Sequence, residues 1–293
     1  MENDRPKSID GASAGAVLRL LDDASPAVRG ALIAYFKEIG AAAEPFLRSA
    51  AAGGEDARAD AAAWFLRELK LNDPVADFRG FIRSLNYELE SGSMLLARTV
   101  SPSLDIGACC AACDEIAGRS RELLAEPCSL REKCRVLNRV LFHEYGFRAE
   151  PDDSVDPRNC LIDEVLRRRK GTPLSLCVVY LLIAGRLGLE LDPVILPGRY
   201  LVGCFGPGTG RAFFVDPAEY GRFRSAEDLA HPMRGEGWPT DRGNLGPSSI
   251  RELLCRNCRS IARHYIESGQ PERAPLFAGF IEEFEAAYAR YEA

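Results

Sequence analysis

Apolar residues recur at helical spacing over most of the chain, and in one stretch polar residues almost vanish. From Leu174 to Leu187 only Ser175, Gly185 and Arg186 interrupt an apolar run. A helix apolar on every face belongs inside a domain, and this run is shorter than the roughly 18 apolar residues of a membrane span. Thr172 is placed to cap it, and Pro173 suits a first helical position, where no N–H is needed. Leu187-Gly188 closes it, with glycine as the left-handed cap. Strand-like runs follow at Pro193–Leu196, Tyr200–Phe205 and Ala212–Val215. The pattern therefore predicts a buried helix feeding an antiparallel sheet.

Elsewhere the pattern is helical. Short amphipathic segments are predicted at Ala16–Leu21, Ala27–Ile39, Ala42–Ala51 and Ala57–Leu71, punctuated by Ser25-Pro26, Gly40 and Gly53-Gly54. Asn72-Asp73-Pro74 breaks the run. Helices resume at Val75–Leu89, Ser93–Val100, Ile106–Leu124 and Ser129–Glu144, and Pro151–Asp156 reads as an acidic loop. Asn159 is placed to cap a helix over Cys160–Lys170, whose Arg167–Lys170 end suits the helix dipole as a solvated cap. After Val215-Asp216-Pro217 the order weakens, and Pro232–Pro247 reads as a long loop. Ser248–Gly269 and Glu272–Tyr291 form a last helix pair across a Gly-Gln-Pro turn. The fold class is α+β, mostly α.

Composition narrows the function classes. At 293 residues the chain suggests about two domains. A formal charge of −6 argues against generic nucleic-acid binding, which needs a basic footprint. The start MENDRPKSID is polar, so no signal peptide is visible and a cytoplasmic location is expected, with no membrane partner. The ten cysteines then read as reduced thiols. Cys110/Cys113 and Cys255/Cys258 have zinc-like spacing, but both pairs fall inside predicted helices and no nearby histidine completes either set. Neither a metal nor a cofactor is therefore expected, and a zinc-stabilised scaffold is the weakest reading. His143, His231 and His264 read as surface or cap residues. Gly206-Pro207-Gly208-Thr209-Gly210 joins two strands, so it is a hairpin connection rather than a phosphate cradle.

Several segments resemble known families. Residues 20–40, LLDDASPAVRGALIAYFKEIG, resemble a HEAT-type helical repeat, and 53–70 a weaker second copy. The final pair resembles a tetratricopeptide-like hairpin. Residues 137–216 resemble the transglutaminase-like family of the SirB type. Its landmarks are LFHEYGFRAE (141–150), PRNCLIDEVLRRRKGTPLSLCVVYLLIAGRLGL (157–189), PGRYLV (197–202) and FFVDP (213–217). The resemblance implies a papain- or transglutaminase-like core, a buried helix on a small antiparallel sheet. It suggests a HEAT-like segment at 1–73, a transglutaminase-like domain at 74–235 and a loop with tetratricopeptide-like helices at 236–293.

Active members of that superfamily carry cysteine at the helix start and histidine and aspartate on the following strands. By position, those places hold Pro173, Arg199 and Asp216 here. Proline has no nucleophile, and arginine stays protonated at neutral pH and cannot act as a base. Two substitutes remain: Cys177, one turn further along, and Ser175, nearer the start but on another face. Arg199 and Asp216 are expected to pair across adjacent strands. The resulting expectation is a non-catalytic scaffold or regulatory protein with a protein partner. The alternative is a cysteine or serine acyl-transfer hydrolase using Cys177 or Ser175.

Overall fold

The computed structural model describes residues 11–52, 57–69, 73–125, 127–151, 155–205, 212–233 and 245–292. Chain contacts divide the protein into two units, residues 1–76 and 77–293. In the first, α1 (Gly11–Leu20), α2 (Pro26–Ile39), α3 (Ala43–Ala51) and α4 (Ala57–Glu68) surround a core that includes Leu21, Leu32, Phe36, Leu47 and Phe65. Gly40, at φ +58°, ends α2 in a conformation that costs other residues.

The second unit adds α5 (Pro74–Ser84), α6 (Leu89–Arg98), α7 (Ile106–Leu123) and α8 (Leu130–Asn138). Apolar spacing alone carried α5 to Leu89, yet Leu85 turns left-handed at φ +58° and stops it at Ser84. Glu88 then caps α6, accepting hydrogen bonds from the N–H groups of Glu90 and Ser91. Gly92 lets α6 pack closely: a Cβ there would lie 2.6 Å from Leu254 Cδ1. Ser129 and Glu132 form a capping box on α8, which continues as a π-helical turn over Arg139–Glu144.

Two short strands, β1 (Arg148–Ala149) and β2 (Lys170–Gly171), pair in parallel. Between them lie a 3-10 turn, Pro157–Cys160, and α9 (Ile162–Arg168). Asn159 is thus inside the turn and does not cap α9. Asp156 caps the turn, and Leu161 precedes α9 without a side-chain cap. The Arg167–Lys170 run is not left to solvent alone. Arg167 pairs with Glu164, Arg168 with Asp156 and Lys170 with Glu150.

The buried helix is α10 (Pro173–Arg186), with Thr172 as its cap, Pro173 in its first turn and Gly188 at φ +67° just beyond. It packs on α7, α9 and the sheet. Every side chain from Leu174 to Ala184 is buried, so only its two ends meet water. The sheet runs β3 (Asp192–Leu196), β4 (Arg199–Cys204), β5 (Phe213–Asp216) and β6 (Arg222–Arg224), all antiparallel neighbours in that order. Ser248 covers the free edge of β3, donating from its N–H to Pro193 O and accepting at Oγ from Ile195 N.

Order persists beyond Asp216, contrary to the reading of the pattern. β6 and α11 (Ala226–Met233) follow, and Ser225 and Asp228 bond reciprocally at the start of α11. His231 therefore sits in a helix rather than a loop, and its side chain lies outside the described residues. Gly206–Gly210 and most of the expected 232–247 loop also lie outside them. The chain closes with α12 (Ile250–Glu267) and α13 (Ala274–Glu292). Among the described residues no helix is long and apolar enough to cross a membrane.

Candidate functional site

The tip of α10 is built by short-range hydrogen bonds. Thr172 Oγ1 accepts from Ser175 N at 3.2 Å, and Thr172 N donates to Asn159 O at 3.0 Å. Ser175 Oγ lies 2.7 Å from the same Asn159 carbonyl and 3.0 Å from Thr172 O. The hydroxyl is buried and its proton is engaged by main-chain oxygen. Gly171 presses on it: a Cβ at Gly171 would overlap Ser175 Oγ and come within 3.1 Å of Val165 Cγ1. Ser175 therefore locks the helix to the 3-10 turn and presents nothing to a substrate.

Cys177 is completely buried, with Sγ 3.4 Å from Leu201 O. Burial, helped by the nearby Asp216 charge, pushes its thiol well above the usual range, so the reactive thiolate is suppressed. Asp216 is buried too, and its Oδ1 accepts from Ala218 N at 3.2 Å. Burial and then the Glu219 charge push its carboxyl up, against a smaller opposing pull from Arg199. The expected Arg199–Asp216 ion pair does not form among the described residues. The register explains why. Val202 faces Val215, so the next step brings Leu201 beside Asp216 and leaves Arg199 two residues past it, opposite Leu196 in β3.

A cavity of about 480 Å³ opens at the helix tip. Pro173 and Leu174 form one wall and Tyr200 of β4 another. The third is one face of α12, carrying Arg256, Arg259, Ser260, Arg263 and His264. Of the sequence-derived positions only Pro173 lines this space; Ser175, Cys177, Arg199 and Asp216 do not.

His264 is not the surface or cap residue expected. It is 4% exposed. Its Nδ1 lies 2.7 Å from Ser260 O, which assigns the proton to Nδ1. Cys160 Sγ approaches the same nitrogen at 3.6 Å and Ser260 Oγ at 3.4 Å. The Cys160–His264 pair is a poor catalytic dyad. Nδ1 carries a proton already committed to a carbonyl, and burial pushes the Cys160 thiol up to about 12. The signal in the sequence was the spacing Arg256, Arg259/Ser260, Arg263/His264, a polar stripe on one face of a helix otherwise read for its apolar positions.

The charge balance at the cavity is uneven. Arg256 pairs with Glu252 at 2.7 Å and Arg259 with Glu285 at 2.9 Å. Glu150, on the rim, pairs with Lys170 at 3.2 Å. Arg263 is exposed and makes no ion pair among the described residues. Burial pushes the Tyr200 phenol up, and the charges of Arg256 and Arg263 oppose that rise, so both guanidinium groups act across the cavity.

Cys110 donates to Glu90 Oε1 at 3.0 Å, while Cys113, Cys255 and Cys258 are buried. Among the described residues no group of three or more histidine, cysteine or acidic side chains is arranged to hold a metal ion. The four thiols of the zinc reading thus do not assemble into one cluster.

A family model described as the transglutaminase-like superfamily matches residues 108–259, from α7 into α12. The chain is 33% identical over 199 residues to a UPF0162 protein of Xylella fastidiosa, covering 66% of this chain and 70% of that one. It is 29% identical over 164 residues to a UPF0162 protein of Pseudomonas aeruginosa, 54% of this chain and 57% of that one. A shorter stretch of 66 residues is 36% identical to human F-box only protein 21, 22% of this chain and 10% of that protein. No solved structure gives a significant match.

Proposed function

The chain belongs to the transglutaminase-like superfamily, and from that membership we propose a protein that keeps the fold without the chemistry: a non-catalytic scaffold or regulatory protein of the SirB type that binds other proteins. One observation carries the reading. The helix tip that would present a nucleophile presents Pro173, and both possible substitutes, Ser175 and Cys177, are buried and engaged by main-chain carbonyls. Arg199, at the base position, stays protonated and cannot accept a proton. The HEAT-like front, residues 1–73, and the tetratricopeptide-like pair α12 and α13 are the surfaces we assign to partners.

Thiol reactivity tests the non-catalytic part directly. Brief treatment of the native full chain with iodoacetamide at neutral pH, followed by peptide mapping, is expected to mark the partly exposed Cys110 and Cys128. Cys177 and Cys160 are expected to react only after denaturation. Fast, stoichiometric alkylation of either buried thiol in the native protein would restore the cysteine-enzyme reading.

A further inference from the structure

The cavity at the α10 tip has more donors than the fold itself uses. The Leu174 N–H lies in the first turn of α10 and has no acceptor among the described residues. Helix starts of this kind favour anions, with a partial charge of about +0.5. His264 spends its Nδ1 proton on the Ser260 carbonyl, so its Nε2 is an acceptor. That nitrogen has no partner among the described residues, although the side chain is almost wholly buried and lines the cavity, and it is open to a hydroxyl on the organic part of a ligand. Arg263 brings a full charge that no carboxylate among the described residues pairs with, while Arg256 and Arg259 bring charges shared with Glu252 and Glu285. The surplus from Arg263 and the helix start is roughly one and a half positive charges.

We propose that this cavity is an oxyanion site that takes a phosphomonoester. A surplus of that size suits a dianion better than a monoanion. The donors also approach from separate walls: Leu174 from the helix tip, Arg256, Arg259 and Arg263 from α12. A tetrahedral group can address several directions at once, whereas a carboxylate offers two oxygens in one plane. The volume of about 480 Å³ exceeds a bare phosphate and falls in the range of small-ligand pockets, leaving room for the organic part of an ester. Tyr200 forms the wall that such a group would pack against.

The inference rests on the non-catalytic reading, because a cleft that turned over an acyl group would need this space for its substrate. Calorimetric titration of the full chain with sodium phosphate at low salt and pH 7 is the test. Saturable binding in the millimolar range or tighter is expected, with acetate at least about tenfold weaker. Arg263 is exposed and has no ion pair among the described residues, so Arg263→Gln should leave thermal unfolding unchanged while weakening phosphate about tenfold. Arg263→Glu should abolish binding. Parallel titrations with glycerol 3-phosphate and with a phosphoserine peptide separate a free metabolite from a modified protein side chain as the source; tighter binding of either supports the site. Absence of saturable phosphate binding, equal binding by Arg263→Gln, or acetate binding as tightly as phosphate overturns it. Failure here with Cys177 and Cys160 inert removes only the oxyanion site. Alkylation of either thiol removes the non-catalytic reading, whatever phosphate does.

Discussion

Ser175 separates a structural role from a catalytic one because the two predict opposite signs. If the hydroxyl is a structural clamp, Ser175→Ala loses its bond to Asn159 O at 2.7 Å. That carbonyl keeps Thr172 N as a donor at 3.0 Å, so no buried acceptor is orphaned, and the cost is about 1 kcal/mol. Gly171→Ala places a Cβ against Ser175 Oγ and 3.1–3.2 Å from the Val165 methyls, an overpacking worth about 1–3 kcal/mol. In the double variant the overlap with Oγ is gone and only the Val165 contacts remain. Its cost should fall short of the sum by about 1 kcal/mol, within the range for residues in contact. Native-state amide exchange of the α10 peptides, measured by mass spectrometry on the full chain, reads these costs locally. Ser175→Ala is expected to exchange about fivefold faster than wild type, since 1.4 kcal/mol is tenfold. Gly171→Ala should exchange faster still, and the double variant at least about fivefold slower than the product of the two effects. Multiplicative effects would refute the contact. Slower exchange in Ser175→Ala would refute the clamp, because replacing a strained active-site residue tends to stabilise.

Asp216 gives a pH-dependent counterpart. Burial raises its carboxyl pKa in the fold, so its favourable contribution is full below the unfolded value, near 3.8, and is lost as pH rises through the folded value. Asp216→Asn keeps an acceptor for Ala218 N and removes the buried charge. It should melt above wild type at pH 7, with the gap closing toward pH 4; a gap independent of pH would refute the assignment. Gly221→Ala should cost about 1–2 kcal/mol for the left-handed backbone, φ +75°, plus about 1–3 kcal/mol for disrupting the buried Asn138 Nδ2 bond to Gly221 O. Gly188→Ala, at φ +67° with open space around it, should show only the first cost, so equal melting of the two variants would contradict the Asn138 contact.

What was legible in the sequence was local. Thr172, Pro173 and Gly188 fix the ends of α10 through groups a few residues apart, and an unbroken apolar run can only be buried. What was missed depended on conformations or partners that spacing does not carry. Leu85 is left-handed without being glycine, so nothing marked the end of α5. Ser225 and Asp228 did form a readable start for α11, but the Gly/Pro-rich sequence beyond it obscured the signal. The Arg199–Asp216 expectation failed by two residues of register, which alternation along a strand cannot resolve. His264 meets Cys160 across a separation of 104 residues, and only the assembled fold brings them together.

The proposed loss of catalysis is physically compatible with the persistence of a cleft. Acyl transfer needs a group that attacks and a group that accepts its proton, both within hydrogen-bond reach of the substrate. At this helix tip the attacking position is a proline, and the protein's own carbonyls occupy the nearby hydroxyl and thiol. The groups left facing the cavity are mainly donors and cations: the Leu174 amide and the guanidinium groups of α12, with Glu150 held by Lys170. The helix start that would stabilise a thiolate stabilises any other anion by the same dipole. A proline in place of the sulfur would therefore leave the field intact and delete the step that consumes the ligand. On the proposed reading, a site of this composition would hold a charged group without cleaving it, which is the property a regulatory domain requires.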